Sequence, residues 1–415
     1  MGISRRSSVA YENFTIDRIA FVQGNDPTGL DISEIFKSVS ITEGITQGLL
    51  KGSMDFVDSM NLINTINPRG DEKIQISFRS VHLNGEDAKT YSKMFKILRY
   101  EDITSPNTQI KKYVRMYFQS EEEMNNEYRK VSKSYLNTSI HSIIKDMLNI
   151  IGFKDEYIFI EKTLYNRDIV IPNLTPLSVI NHLAQNAQSS EPNSKGDSNF
   201  YLYEDINGVN FKSGSTLMLE EPKVDLTFEA THDVSMYNKI IKLQRVKGYN
   251  LSEQYRSGGL GVDVHSMSIT NKSYKSNYQD YYGIKQIYPK LNPEPWFGGE
   301  IQPERNTCVI LSNEDQMYKY INVGSNGNSI GIRTTNRTSL NAKRMLIQIP
   351  GNTDLSCGNI VNIIAGDTNG ELTSKDAGHW LVNSLTHTLT RETYFISAEL
   401  ISDSDIRGKE RRNDQ

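Results

Sequence analysis

Chemistry in a protein of unknown role is sought first at its histidines, carboxylates, cysteines and glycine-rich turns. The chain has seven histidines in 415 residues. The closest pair, His379 and His387, falls on one face of an alternating run. Eight strand residues span about 27 Å at ~3.3 Å each, too far for both rings to hold one metal ion. His141 and His182 each flank an apolar helical face, where a solvated or hydrogen-bonded ring is the ordinary state. Glu121, Glu122 and Glu123 supply adjacent carboxylates. Glycoside hydrolysis needs two carboxyl groups facing each other across a bond, roughly 5–10 Å apart, and a helix N-terminus explains the run better. Glu220-Glu221 and Asp403 with Asp405 are read the same way. Gly258-Gly259-Leu260-Gly261 lacks the strand–helix setting of a dinucleotide-binding turn, and no phosphate-binding loop, nucleophile elbow or H-E-x-x-H motif is present. Cys308 and Cys357 are the only cysteines, too few for a disulfide framework or a Cys-rich zinc site. No catalytic, cofactor-binding or metal-ligating residue is assigned, and the chain is expected not to be an enzyme.

One cluster keeps a binding role open. Tyr274, Tyr278, Tyr281, Tyr282 and Tyr288 lie among Lys272, Lys275, Lys285 and Lys290. Rings and cations in that mixture stack on a glycan or a single-stranded nucleic acid, or make a tyrosine-rich protein contact.

The elements that position these residues are mostly β. Ile74, Ile76 and Phe78 alternate with polar neighbours, and so do Val114, Met116 and Phe118 with Tyr113, Arg115 and Tyr117. Met94 to Ile103 is the expected hairpin partner, with a turn at Thr104 to Asn107. Residues 120–220 change character. Ile140, Ile143, Ile144, Met147, Leu148 and Ile151 mark one helical face, capped at Asn137 to Ser139 and stopped by Gly152. Thr175-Pro176 opens a second helix, residues 188–198 read as a mobile polar loop, and 200–203 with 209–212 read as a hairpin. β character returns at 226–250. Residues 251–337, rich in Tyr, Asn, Ser, Gly and Pro, read as an irregular peripheral insertion that a short linker could replace. Met345, Ile347 and Ile349, a turn near Gly366, and the hairpin 380–401 form a final meander before a charged tail.

The expected class is therefore a β-rich α+β, multidomain chain. Its parts are a first β domain at 1–125, a small α+β domain at 126–225, a second β domain from 226–250 and 338–403, the insertion 251–337 and a tail at 404–415. The long hairpins 94–118 and 380–401 suggest a distant internal duplication. A hydrophobic content of 37% and a net charge of -4 leave several modest cores and argue against a generic nucleic-acid binder, which relies on excess Lys and Arg. No signal peptide or membrane span is read from the sequence.

The order of parts resembles the central hub protein of contractile-tailed phage baseplates, a family related to the hub part of type VI secretion spike proteins. Lys93 to Thr104 with Lys111 to Ser120 is similar to the hairpin closing the family's first barrel. Ser139 to Gly152, Leu174 to Ala187, and Phe200-Tyr201-Leu202-Tyr203-Glu204-Asp205 with Gly208 are similar to its second domain. Ala342 to Ile364, with Gly351 and Gly358, and Trp380 to Asp403 are similar to the segment completing the second barrel. Residues 251–337 match least. The resemblance implies two tail-tube-like antiparallel β-barrel domains and no catalytic residues. It also implies a homotrimer whose six such domains form a pseudo-six-fold ring between tail tube and central spike. Tube or tube-initiator proteins, the spike and other baseplate proteins are the implied partners. DNA is expected to pass through the lumen without specific binding. The implied location is the virion tail baseplate, assembled in the host cytoplasm, with no membrane insertion. The competing reading is a glycan- or receptor-binding tail component or a cell-wall hydrolase. The missing acid/base pair counts against the hydrolase, and the tyrosine cluster keeps the glycan binder open.

Overall fold

The computed structural model describes residues 3–5, 9–24, 29–58, 62–66, 70–81, 89–102, 113–228, 237–247, 250–268, 272–301, 308–313, 327–365 and 376–406. The turns expected at Thr104 to Asn107 and near Gly366, and the tail beyond Ile406, lie outside them.

The first β block comprises β1 (Ile3–Arg5), β2 (Phe14–Val22), β3 (Leu30–Asp31), β4 (Phe36–Gly44), β5 (Lys51–Val57), a short helix α1 (Leu62–Ile66), β6 (Lys73–Ser80), β7 (Tyr91–Asp102) and β8 (Tyr113–Ser120). The period-two residues behave as expected: Ile74, Ile76, Phe78, Val114, Met116 and Phe118 are buried.

The small α+β part follows with α2 (Glu121–Tyr128), β9 (Val131–Ser139), α3 (Ile140–Ile151), β10 (Ile158–Ile160), β11 (Asn166–Leu174), α4 (Pro176–Ala184), β12 (Phe200–Asp205), β13 (Gly208–Ser213) and α5 (Gly214–Met218). All six apolar residues of the α3 face are buried. Gly152 ends that helix at φ 116°, donating to the carbonyls of Leu148 and Asn149, a left-handed stop that favours glycine. Both helices pack on β9, β11 and β13 around their own core. The segment 188–198 is not the free loop expected from its polarity. Ser189, Ser194, Asp197 and Ser198 are buried. The Asp197 carboxylate accepts the backbone N–H groups of Asn199 (3.1 Å) and Ser215 (2.9 Å), so its polar side chains do the work of a missing ladder.

The rest of the chain adds β14 (Pro222–Phe228), β15 (Lys242–Lys247), α6 (Leu251–Ser257), β16 (Gly261–Ser268), β17 (Ser273–Asp280), α7 (Tyr281–Ile287), β18 (Glu294–Pro295), β19 (Val309–Asn313), α8 (Gly327–Leu340), β20 (Lys343–Pro350), β21 (Ile360–Ala365), β22 (Gly378–Thr390), β23 (Tyr394–Ser402) and β24 (Ser404–Asp405). Two expectations are corrected here. The segment 251–337 is not irregular: β17, β16 and β19 form a three-stranded sheet. Val262 and Val264 are buried and alternate with Asp263 and His265, which are partly exposed, a period-two signal hidden by the polar composition around it. Nor, among the described residues, is a closed barrel found. Strands of both blocks join one fourteen-stranded sheet whose main path runs β1-β2-β6-β7-β8-β5-β4-β22-β23-β20-β15. One apolar core, from Phe14 to Leu400, serves both blocks.

The two blocks repeat one wiring. In chain order β2, β4, β5, β6, β7 and β8 correspond to β14, β15, β20, β21, β22 and β23. Each set is paired in the same spatial order, β2-β6-β7-β8-β5-β4 against β14-β21-β22-β23-β20-β15. The long strand of each hairpin even carries its bulge at the same place, between Ile97 and Arg99 in β7 and between Val382 and Ser384 in β22. Only the outermost pair differs, antiparallel for β2–β6 and parallel for β14–β21. The two units join where β4 lies antiparallel along β22, from Gly44 opposite Ser384 to Ser38 opposite Thr390. Each strand thereby satisfies an edge that would otherwise stay open.

A polar sheet face and a buried polar joint

Because side chains alternate across a strand, the face opposite the core can be read row by row. One row crosses the sheet as Tyr117, Ser53, Ser40, Thr388 and Phe395. The next runs Gln119, Lys51, Thr42, Thr386, Ser397, Gln348 and Lys242. A third places Arg115, Asp55, Ser38 and Thr390 in register. Hydroxyls dominate the centre, and Thr42 and Thr386 bond to each other across the seam at 3.1 Å.

Several of the charges on this face are paired. Arg115 donates twice to Asp55, at 2.7 and 2.8 Å, and that guanidinium holds the Asp55 carboxyl below its usual range. Arg344 meets Glu399 at 2.9 Å. Lys37 sits 4.0 Å over the Tyr113 ring and Arg99 4.2 Å over that of Tyr117. The Tyr117 hydroxyl donates to Glu101 at 3.0 Å. Carboxylates thus offset part of the basic charge on a face whose centre is lined by hydroxyls.

Beneath the seam lies a closed polar joint. His387 is held between the Tyr394 hydroxyl (2.8 Å) and Glu43 (3.4 Å), and Glu43 also accepts the Cys357 N–H at 3.1 Å. Glu204 of the small α+β part enters the first block. It accepts from Lys93, from the Ser120 hydroxyl and from the Leu50 N–H (3.1 Å). Burial pushes the Glu204 carboxyl up. Burial and the nearby Glu43 push Asp205 up to about 6. These side chains tie three parts of the chain together. The hydroxyl residues at 38–42 and 384–390 were not singled out from the sequence, and nothing local marks Glu43 and Glu204 as partners of distant groups.

The residues singled out from sequence do not converge. Glu121, Glu122 and Glu123 separate onto Lys73 (2.6 Å), Lys93 (3.3 Å) and Lys51 (2.9 Å), clamping α2 to three strands. His141 bonds Thr163, His182 is solvent-exposed, and His379 is far from His387 along β22. Gly258 ends α6 at φ 82°. The tyrosine cluster is dispersed too, which removes the stacking platform. Tyr281 and Tyr288 are buried, and Tyr282 donates to the carbonyls of Phe297 and Gly299. Lys285 forms a buried pair with Asp403 at 2.7 Å. Among these rings only Tyr274 is largely exposed. Among the described residues no three His, Cys, Asp or Glu side chains gather as a metal site, and no helix is long and apolar enough to cross a membrane. An open cleft of about 460 Å³ is lined by Lys290, Asn292, Asn362 and His379. The Asn292 amide is already engaged there, with the His379 backbone and the end of the chain's last strand.

Comparison with known proteins agrees with this architecture of interfaces. Residues 23–214 match the family described as baseplate structural protein, domain 1. A probable baseplate hub protein of Vibrio phage KVP40 is 27% identical, the match covering 97% of each chain. Among solved structures, a tail protein from Neisseria meningitidis aligns with a TM-score of 0.56 at 9% identity, over 94% of this chain and 97% of that one. The 43 kDa tail protein of prophage MuSo2 from Shewanella oneidensis gives 0.54 at 10% identity, over 94% and 100%. From end to end in sequence this chain resembles a probable baseplate hub protein, and in fold it resembles tail proteins.

Proposed function

We propose that this structural tail protein is the hub of a baseplate, three copies of which close into a pseudo-six-fold ring between the tail tube and the central spike. The observation that carries the reading is the repeated six-strand unit. Each chain already holds two units joined edge to edge, so three chains supply six equivalent positions while keeping three-fold symmetry for a spike. Closed rings of repeated, head-to-tail contacts are the general solution for such surfaces. The polar face with its paired charges suits the lumen of that ring, since a conduit must let DNA slide rather than hold it. Location in the virion tail follows from the same reading. The chain supplies position and contact, not hydrolysis.

The test is stoichiometry. The chain co-expressed with its spike, weighed by native mass spectrometry, is expected to give three copies per complex. One or six copies overturns the ring as proposed.

A further inference from the structure

The joint inside the chain shows how the next joint should be made. On β22, the edge opposite β23 is shared: β21 takes Gly378 to Leu381 and β4 takes Ser384 to Thr390. Its counterpart β7 is half filled. β6 pairs Tyr91 to Lys96. Arg99 to Asp102, past the shared bulge, pair only with β8 among the described residues. The counterpart of β4 is β15, which pairs with β20 and, among the described residues, has nothing on its other edge. Apolar side chains stand exposed along these edges: Leu98 is 46% exposed and Val246 49%.

We infer, building on the ring reading above, that β15 of one copy lies antiparallel along the second half of β7 of the next, repeating the β4–β22 joint between chains. The register follows from the repeat. Ser384 corresponds to Arg99, Thr386 to Glu101 and His387 to Asp102, through their common bulge. Ile41 corresponds to Arg245 and Thr42 to Lys247, through their partners on β5 and β20. Since Ile41 faces His387 and Thr42 faces Thr386, Asp102 of one copy faces Arg245 of the next, and Glu101 faces Lys247. The inner joint at these positions sets Thr42 against Thr386 and Ile41 against His387, with no pair of opposite charges directly across it. The outer one brings the acidic end of β7 to the basic strand Lys242-Leu243-Gln244-Arg245-Val246-Lys247. That complementarity selects a second copy as the occupant. It also protects the free edges, because charged edges resist indiscriminate pairing. Arg245 is bonded to Asp376 within its own chain, at 2.9 and 2.8 Å. Its side chain is nonetheless 66% exposed, which leaves the outer edge of the guanidinium open to bridge to a second carboxylate. Glu101 likewise holds Arg99 at 3.1 Å and keeps 43% of its side chain exposed.

Residues directly opposite in an antiparallel pair have Cα atoms ~4.5–5.5 Å apart, within disulfide reach. The experiment is therefore an Asp102→Cys/Arg245→Cys variant of the full chain with Cys308→Ser, oxidised and read on a non-reducing gel beside the native mass of the unsubstituted chain. Linked dimers and trimers ending at the closed trimer are expected, with Asp102→Cys alone giving no ladder. A trimer by mass that does not cross-link overturns this seam and leaves the ring standing. A ladder ending at six keeps the seam and overturns the trimer. A chain that is neither associated by mass nor linked overturns the seam outright. Circular dichroism of the variant excludes misfolding as the cause of a negative result.

Discussion

Asp205 makes the joint between the parts sensitive to pH. Its carboxyl accepts the backbone N–H groups of Asn207 and Gly208 but lies buried near Glu43, which pushes it up to about 6. A carboxyl raised on folding binds protons more tightly in the folded state. Its stabilisation is complete below the unfolded value of ~3.9 and is lost as pH rises through about 6. Asp205→Asn keeps an oxygen acceptor for both N–H groups and removes the charge. The melting temperature of this variant is expected to fall less between pH 4 and pH 7 than that of the unsubstituted chain, read by thermal denaturation across that range. An equal slope in both proteins would show that Asp205 does not carry the effect. Asp55 works in the opposite direction. Its carboxyl is lowered by Arg115, so its contribution is present above the ordinary carboxylate value and disappears as pH drops through the depressed one.

At the scale of elements, two contacts set what the fold tolerates. The α7 helix fastens the segment 251–337 to the end of β23. Lys285 and Asp403 are both buried, and Asp403 also accepts the Leu291 N–H at 3.1 Å and the Ser404 hydroxyl at 2.8 Å. Lys285→Met leaves that carboxylate without its cation and is expected to cost about 3–5 kcal/mol, measured by urea unfolding. A loss under ~1 kcal/mol, the usual worth of an exposed pair, would show that water replaces the lysine. In β5, a Cβ added to Gly52 would lie 2.4 Å from the Ser40 carbonyl oxygen and 2.5 Å from the Phe118 ring. Gly52→Ala is expected to lose about 1–3 kcal/mol by overpacking, again by urea unfolding. These elements also show what sequence can reveal. The α3 and α4 helices and the two long hairpins were legible because periodicity, caps and turns are local. The β4–β22 joint was not, since Thr42 and Thr386 are separated by 344 positions. Two barrels were expected because the family resemblance implied them; the alternation within each block says nothing about which edges meet. Glu43, Glu204 and His387 escaped notice for the same reason: their partners come from other parts of the chain.

For the whole molecule, the hydroxyl rows predict how the face proposed to line a conduit treats DNA. The chain is expected to bind random duplex no better than micromolar at physiological salt, by fluorescence anisotropy. Ser40→Lys/Thr388→Lys should raise that affinity and steepen its salt dependence, because each phosphate neutralised releases counterions. Submicromolar binding by the unsubstituted chain would contradict the proposed conduit.

The repeated unit is not decorated equally. In the first copy β4 reaches β5 through residues 45–50; in the second, β15 reaches β20 only after the sheet and helices of residues 251–340. In the proposed ring of three chains, every other position would carry this extra module, like alternate teeth on a gear. A neighbour docking against the modules would meet a repeat of 120°, and one docking where they are absent would meet a repeat close to 60°. On that proposal, a single link of unequal length would let one protein count to three at one contact and to six at another.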